Sequence, residues 1–296
     1  MSAVIAQMAK GRASGKTKPA TSLLILSSKA GSMTPEIEAR LRKAFDGSLA
    51  VEFDPKMDLE NLVTPTAKVI VAGGDDTIEW VVRELADTRH PVGILSLGTF
   101  NNFAKSLHLP TTVEAAIRVI KTGKPRPITL GRLNGKIFLE AAAIGLFGET
   151  IAAGESAKDR AFGAFAEDLK HVMQARPFKY ELTGDIRGSG TCMSLVFTNT
   201  TSIGPQMPVS DTTPEDPYLE LSVHAGRSRT DIAKRVLARA VLSKHKEEGL
   251  GQVFKFRTLE VVTTPKVRIY ADNAQLGRTP ATVTAEVSAL RVILPR

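Results

Sequence analysis

Two short glycine-containing stretches combine the residue types that bind phosphate. The first is Gly73-Gly74-Asp75-Asp76-Thr77 and the second is Leu97-Gly98-Thr99-Phe100-Asn101. Glycine lets backbone N–H groups approach an anion closely, and a helix that begins at such a turn directs its positive end to the same place. Threonine hydroxyls add donors, and a carboxylate such as Asp75 suits Mg²⁺ that arrives on a nucleotide. One stretch alone would favour an ordinary strand–helix turn, but the two together predict a nucleotide phosphate site.

Each glycine stretch lies between a predicted strand and a predicted helix. An apolar, β-branched run at 69–72 precedes the first stretch, and apolar residues spaced three to four apart follow it through 78–85. A second apolar run at 92–95 precedes the second stretch, and a short helix is predicted at 103–107. The two strand–glycine–helix units are therefore expected to lie side by side.

The alternation of strands and helices continues on both sides of these units. We predict a strand at 23–26, a helix that begins at Thr34-Pro35, a strand at 51–53, and a helix that Thr112 caps and Gly123 ends. Such an alternation indicates a parallel sheet with helices on both faces.

The pattern changes near Pro127. Predicted strands at 128–133 and 136–141 flank Asn134-Gly135, the dipeptide that most strongly favours a two-residue hairpin. Further strands are predicted at 179–182, 191–198, 219–223, 253–256, 259–262 and 267–270. Short strands in succession predict an antiparallel β domain in this second part of the chain.

The two glycine stretches resemble the catalytic core of the diacylglycerol kinase and bacterial lipid kinase family. That family has GGDGT after a strand and then a segment of the type P-L-G-T-x-N followed by F-A, for which the counterparts here are residues 73–77 and 91–104. NAD kinases share the first turn, but the second stretch of this chain has the lipid kinase form. The resemblance extends through Phe138-Leu139-Glu140-Ala141 to the closing segment at 289–295, so only the first twenty residues fall outside it.

The resemblance implies an ATP- and Mg²⁺-dependent lipid kinase, with a Rossmann-like parallel sheet, a β-rich second domain and a nucleotide cleft between them. It places the proton acceptor at Asp272, the metal ligand at Asp75, and the acceptor hydroxyl on a diacylglycerol-like or sphingoid-like lipid. The residues expected to bind the nucleotide are Lys29, Gly73, Gly74, Asp75, Thr77, Gly98, Thr99 and Asn101.

The predicted domain organisation has three parts. Residues 1–20 form a basic tail, residues 21–127 form the nucleotide-binding α/β domain, and residues 128–288 form the lipid-substrate domain. By the resemblance, the end of the chain at 289–296 returns to the first domain.

Two departures from the family pattern keep a second reading open. Asp76 stands where the family has glycine and adds negative charge beside the expected phosphates, and Ala274 stands where the family has a glutamate close to the base. The alternative is a protein of the same fold that binds nucleotide or lipid without catalysis. A nicotinamide-nucleotide kinase is a more distant third interpretation.

The net charge and the composition of the chain limit the classes of molecule that it is expected to bind. The chain of 296 residues has a formal net charge of +8, which suits an anionic bilayer surface or a phosphorylated substrate, although a merely solubilising surface would give the same number. The sequence has neither the ligand spacing of a zinc-binding motif nor an aromatic–basic RNA-binding motif, so nothing in it favours nucleic acid as the partner. The single cysteine, Cys192, is expected in a buried strand and fits a reducing cytoplasm.

The expected location is the cytoplasm, with peripheral attachment to the inner membrane surface. No apolar run approaches the length of a membrane span, and no apolar segment near Met1 resembles a signal peptide. The sequence contains no information on oligomeric state or on which lipid is bound.

Overall fold

The structure is a computed structural model. It describes residues 20–148, 176–203, 207–224, 253–272 and 274–296. Residues 1–19 of the predicted basic tail lie outside this part of the chain, and Ala20 begins the first strand.

Five helices are described in these ranges. They are α1 (Pro35–Ala44), α2 (Leu59–Leu62), α3 (Asp75–Leu85), α4 (Asn102–Ser106) and α5 (Val113–Thr122). The strands of the first part are β1 (Ala20–Leu26), β2 (Leu49–Glu52), β3 (Val63–Gly73), β4 (Pro91–Ser96), β5 (Lys124–Leu133), β6 (Lys136–Phe138) and β7 (Ala141–Gly145). Those that follow are β8 (Phe178–Gly184), β9 (Gly188–Cys192), β10 (Ser194–Thr198), β11 (Ser202–Ile203), β12 (Met207–Pro208), β13 (Leu219–His224), β14 (Val253–Phe256), β15 (Thr258–Thr264), β16 (Arg268–Ala271), β17 (Ala274–Arg278) and β18 (Ala281–Leu294).

The helix starts follow their local sequence. Thr34 is the N-cap of α1 and accepts a hydrogen bond from the Ile37 amide, with Pro35 in the first turn. Thr112 is the N-cap of α5, as predicted, and has the extended backbone of that position, although its side chain makes no capping hydrogen bond. The N-cap of α3 is Gly74, which has no side chain to satisfy the first amides.

The first four strands form a parallel sheet in the order β2-β1-β3-β4. On one face, α3 and α4 bring Ile78, Val81 and Phe103 into an apolar cluster with the sheet. On the other face, α1 and α5 contribute Leu41 and Ile120 to a second cluster. The predicted α/β architecture with helices on both faces is confirmed.

The last strand joins the two parts of the molecule. β18 lies parallel to β4, with Arg291 opposite Pro91, and pairs antiparallel with β5 and with β15. The sheet therefore continues through β18 to β15, β8 and β9. The predicted boundary between residues 127 and 128 falls inside β5, and the division into domains stays a prediction.

A second sheet is antiparallel throughout, in the order β14-β13-β10-β7-β16-β17. The Asn134-Gly135 hairpin is confirmed: both residues have positive φ, 48° and 81°, and they join β5 to β6. Cys192 is buried at the end of β9, as predicted.

Two predicted strands are each divided in the structure. The segment at 191–198 forms the end of β9 and the whole of β10, which lie in different sheets. Met193 lies between them, and its backbone is bonded to Leu146 and His224. The segment at 136–141 forms β6 and the first residue of β7, and the interruption falls at Leu139 and Glu140. The amides of those two residues point to a side chain far along the chain, which is described below.

Candidate active site

The two glycine turns lie next to each other at the carboxyl ends of β3 and β4. Gly73 is paired with Ser96 in parallel register, and the Leu97 amide donates to the Gly73 carbonyl at 2.8 Å. The turn at 97–101 then leads into α4, and Gly74 leads into α3. Because β3 and β4 are neighbours, the side-by-side arrangement follows directly from the strand order.

The Asp75 carboxylate connects the two turns. Its Oδ1 accepts a hydrogen bond from the Asn101 amide at 2.8 Å, and its Oδ2 accepts one from the Phe100 amide at 3.3 Å. Asp75 is the first residue of α3, so the start of this helix is fixed against the second turn. A carboxylate at this position also complements the positive end of the helix.

Two of the glycines lie where a side chain would collide with this connection. A Cβ on Gly98 would lie 2.6 Å from Oδ2 of Asp75 and 2.9 Å from Oδ1 of Asn101, and a Cβ on Gly73 would lie 2.7 Å from Cβ of Thr77. Gly74 differs, because a Cβ there would meet only the Gly98 Cα at 3.7 Å, an ordinary contact. Gly98 and Gly73 are thus required by close packing of the turns themselves.

We expect Gly98→Ala to weaken nucleotide binding strongly, because the added methyl group displaces the Asp75 carboxylate from the second turn. Loss of a hydrogen bond to a charged group costs about 1.5–3 kcal/mol, which is roughly 10- to 100-fold in affinity. Isothermal titration with Mg²⁺–ATP measures the change. Gly47→Ala is the matched control, since a Cβ there meets nothing within 4 Å. Equal affinity of Gly98→Ala and Gly47→Ala would contradict this role.

The other predicted nucleotide residues occupy different surroundings. Thr99 is exposed on the second turn, while Thr77 is buried beneath Gly73. Asn101 has φ of 54° and folds its side chain onto Gly98, accepting from the Gly98 amide at 3.0 Å and donating to its carbonyl at 2.9 Å. Lys29 is exposed in the β1–α1 turn. That turn is joined to the second glycine turn by a 3.1 Å bond from the Ser32 amide to the Leu97 carbonyl.

Asp272 lies at the end of β16 with its side chain only 5% exposed. Oδ2 accepts hydrogen bonds from the Leu139 amide at 2.9 Å and from Nη2 of Arg83 at 3.1 Å. Oδ1 accepts from the amides of Glu140 at 2.9 Å and Ala141 at 3.3 Å. These bonds explain why the strand predicted at 136–141 is interrupted. Burial raises the pKa of Asp272, and the Arg83 charge and the three amides oppose that rise.

Arg83 connects the first helix of the site to this carboxylate, and sequence reasoning missed it. Its Nη2 lies 2.6 Å from Oε1 of Glu79, one turn earlier in α3, and 3.1 Å from Oδ2 of Asp272. The spacing of Glu79 and Arg83 by four residues indicates an ion pair on a helix face. Nothing in the sequence indicates the third partner, which is 189 positions away.

Glu140 is a second carboxylate at the same place, and it too was not recognised as a site residue from the sequence. Nδ2 of Asn102, the first residue of α4, donates to its Oε2 at 3.1 Å. Burial and the neighbouring Asp272 charge raise the pKa of Glu140 to about 8, and the carboxylates of Asp75 and Glu79 add to the effect. Glu140 therefore stands between the nucleotide turns and Asp272.

Hydrogen bonds also join α4 to the segment that follows β10. The Ser202 hydroxyl donates to Oδ1 of Asn102 at 3.1 Å, and the hydroxyls of Ser106 and Thr201 lie 3.1 Å apart. The α/β part and the antiparallel sheet thus meet at a group of polar residues beside the carboxyl end of β4. Its members are Asn102, Ser106, Thr201 and Ser202.

The sequence comparisons agree with this geometry. Residues 23–133 match the diacylglycerol kinase catalytic domain. A protein named diacylglycerol kinase from Staphylococcus saprophyticus subsp. saprophyticus is 26% identical over 220 residues, which cover 72% of this chain and 72% of that protein.

Solved structures share the fold. The crystal structure of a diacylglycerol kinase from Bacillus anthracis str. Sterne superimposes with a TM-score of 0.73 at 21% identity, covering 94% of this chain and 98% of that one. An NAD kinase from Archaeoglobus fulgidus in complex with ATP has a TM-score of 0.51 at 13% identity and covers 93% of each chain. The resemblance expected from the two glycine turns is thus confirmed, because residues 23–133 match the diacylglycerol kinase catalytic domain.

Proposed function

We propose that the protein is an ATP- and Mg²⁺-dependent lipid kinase that transfers the γ-phosphoryl group to a lipid hydroxyl. The observation that supports this most is the bond between Glu140 and Asn102, the residue directly after the second glycine turn. Asp272 in turn binds the Glu140 amide and Arg83 of the helix that follows the first turn. Phosphoryl transfer requires little covalent chemistry from the protein beyond holding the nucleotide, neutralising charge and accepting the proton of the attacking hydroxyl. The turns and the carboxylates supply these functions from one place.

In this proposal the nucleotide phosphates lie on the two glycine turns. The residues assigned to nucleotide binding are Lys29, Gly73, Gly74, Asp75, Thr77, Gly98, Thr99 and Asn101. Asn101 acts mainly by shaping the second turn, because both polar atoms of its side chain are bonded to Gly98. Lys29 lies in the β1–α1 turn, which is hydrogen-bonded to the second glycine turn at Leu97. Its positive charge balances part of the phosphate charge.

Mg²⁺ bound to ATP fits the donors that the site offers. Each oxygen of Asp75 accepts one backbone hydrogen bond, which leaves lone pairs on both oxygens for a metal. Within the described ranges, no cluster of three or more His, Cys, Asp or Glu side chains is arranged as a metal cage. Mg²⁺ in phosphoryl-transfer sites uses one or two carboxylates with phosphate oxygens and water, so Asp75 suffices as the protein ligand. The metal would neutralise the charge that develops on the phosphates.

The lipid is assigned as a diacylglycerol-like or sphingoid-like alcohol. The first of these is supported by the names of the relatives, and the net charge of +8 suits attachment to an anionic membrane surface. No helix in the described part of the chain is long and apolar enough to cross a bilayer. The proposed location is therefore the cytoplasmic face of the membrane, where ATP and the lipid meet.

The alternative of binding without catalysis is less well supported. The two departures that favoured it, Asp76 and Ala274, are both exposed side chains. The carboxylate missing at 274 has a counterpart in Glu140. This residue lies in the connection between β6 and β7, and its amide is bonded to Asp272. The site thus keeps two carboxylates.

The test is phosphate transfer from ATP to a panel of acceptors. Vesicles that contain diacylglycerol or a sphingoid base are compared with glycerol and with NAD in solution, each with Mg²⁺ and with a chelator. We expect phosphorylated lipid only in the vesicle arms with Mg²⁺. Phosphorylation of NAD would support the nicotinamide-nucleotide kinase, and no transfer in any arm would leave the binding protein as the better interpretation.

A further inference from the structure

We infer that Arg83 is a positioning residue for Asp272: it fixes Oδ2 of that carboxylate to the helix that begins at the first glycine turn, and it stabilises the negative charge of the carboxylate. The inference rests on the proposed lipid kinase function, in which Asp272 accepts the proton of the attacking hydroxyl. It is supported by the contacts of Arg83 and by the other groups that face Asp272.

Arg83 ties the Asp272 carboxylate to the α/β part of the molecule. Its Nη2 lies 3.1 Å from Oδ2 of Asp272. The other three hydrogen bonds of the carboxylate come from consecutive backbone amides at 139–141, where the chain passes from β6 into β7. The amides hold the carboxylate against the antiparallel sheet, whereas Arg83 holds it against α3, the helix whose first residue is Asp75.

The Arg83 side chain is itself held in place by Glu79. Nη2 lies 2.6 Å from Oε1 of Glu79, which is one turn earlier on the same face of α3. An arginine side chain loses considerable rotamer freedom when it is held in one conformation. The ion pair with Glu79 offsets part of that loss, so the guanidinium is already placed when it meets Asp272.

The position of the guanidinium is set by Nη2 and not by the other donors of Arg83. Its Nε is buried and has no hydrogen-bond partner among the described residues. A buried donor without an acceptor is unfavourable, and an arginine that served only to stabilise the fold would be expected to pair it. The guanidinium instead lies where Nη2 contacts two carboxylates, which indicates a requirement for positive charge beside Asp272.

The other titratable groups that face Asp272 are carboxylates. Glu140, in the β6–β7 connection, donates its amide to Oδ1 and interacts electrostatically with Asp272, and Glu79 of α3 shares Nη2 of Arg83 with it. Burial raises the pKa of Asp272, and the Arg83 charge is the largest influence that lowers it. Without Arg83 the carboxyl would keep its own proton up to a higher pH, and a protonated carboxyl cannot accept the proton of the hydroxyl.

The first test follows the ionisation of Asp272 and needs no turnover. The carboxyl carbon of Asp272 is observed by carbon NMR over a pH titration and is assigned by its loss in Asp272→Asn. In Arg83→Gln, Asp272 should titrate at a higher pH than in the wild type, because the variant keeps the burial and the amides but loses the cation. Arg83→Lys keeps the charge and should bring the titration back towards the wild type.

Arg132→Gln is the matched control for this variant. Arg132 also bridges two carboxylates, with Nη2 2.7 Å from Oδ2 of Asp87 and Nε 3.4 Å from Oε1 of Glu286. Its side chain is 25% exposed, against 36% for Arg83. Arg132→Gln should lower the melting temperature to a comparable extent but leave the titration of Asp272 unchanged.

The second test is the pH dependence of kcat/KM for lipid phosphorylation. A base acts in its ionised form, so the rate rises with pH through the pKa of Asp272, and this rise should lie at a higher pH in Arg83→Gln. The activity of Arg83→Gln should therefore be lost at low pH and recover as the pH increases. Asp272→Asn should instead lose about 10²–10⁴-fold in kcat at every pH, the range that a general base contributes.

The outcomes separate the inference from the function on which it rests. If Asp272 titrates at the same pH in Arg83→Gln as in the wild type, or if Arg83→Gln and Arg132→Gln have the same pH profile, the inference is overturned. If the titration shifts as expected but the wild type phosphorylates no lipid, the kinase function fails and the control of the Asp272 charge by Arg83 stands. Melting curves show whether each variant is folded, and Arg83→Met takes the place of an unfolded Arg83→Gln.

Discussion

Replacing Asp272 with alanine is expected to lower the free energy of unfolding by about 3 kcal/mol or more. The substitution leaves three backbone amides without their acceptor in a buried place, and it takes from Arg83, whose side chain is 36% exposed, one of its two carboxylate partners. A buried donor left without an acceptor typically costs about 1–3 kcal/mol, so the three amides alone account for a loss of this size. Urea unfolding followed by circular dichroism measures the change.

The matched control for this substitution is Asp87→Ala. Asp87 also pairs with an arginine, with its Oδ2 2.7 Å from Nη2 of Arg132, but its side chain is 59% exposed. An exposed pair contributes little, so the control should change the stability much less. If the two variants unfolded at the same urea concentration, Asp272 would not be the fixed point that holds the 139–141 segment.

The second large effect is expected for Asp75→Ala in nucleotide binding. Without the carboxylate, the amides of Phe100 and Asn101 lose their acceptor and the second turn is no longer fixed to the start of α3. The proposed metal ligand is lost with it. Each hydrogen bond to a charged group contributes about 1.5–3 kcal/mol, so we expect the dissociation constant for Mg²⁺–ATP to rise by roughly 10- to 100-fold or more, measured by isothermal titration.

Asp76→Ala provides the contrast at the next position. Asp76 is exposed, and its negative charge lies in the same first turn of α3. Removing a negative charge beside the phosphates should leave ATP affinity unchanged or increase it. A loss of affinity equal to that of Asp75→Ala would show that the helix start as a whole, and not the Asp75 carboxylate, determines binding.

The elements around the nucleotide turns could be predicted because each depends on local sequence. The periodic residues after Gly73 specify α3 within a few positions, and the apolar run before Gly73 specifies the carboxyl end of β3, which begins six residues before the predicted strand at 69–72. Asn134-Gly135 specifies its hairpin because both residues adopt positive φ readily. In these cases the physical cause lies within the segment itself.

The arrangement around Asp272 could not be predicted in this way. The interruption at Leu139 and Glu140 is caused by a carboxylate more than 130 positions later, whereas the apolar run at 137–139 is typical of an uninterrupted strand. The chain order also gives no reason for β18 to lie between β4 and β15. Glu140 was overlooked because its significance depends on two neighbours, Asn102 and Asp272, that only the fold brings together.

In the proposed reaction, this protein moves the terminal phosphate of ATP onto a lipid. The most direct measurement is phosphorus NMR of the wild-type protein with Mg²⁺–ATP and diacylglycerol-containing vesicles, in which every phosphorus species is counted at once. We expect ADP and a lipid phosphomonoester to accumulate in equal amounts while little inorganic phosphate forms. Unchanged ATP, or ADP matched only by inorganic phosphate, would contradict it.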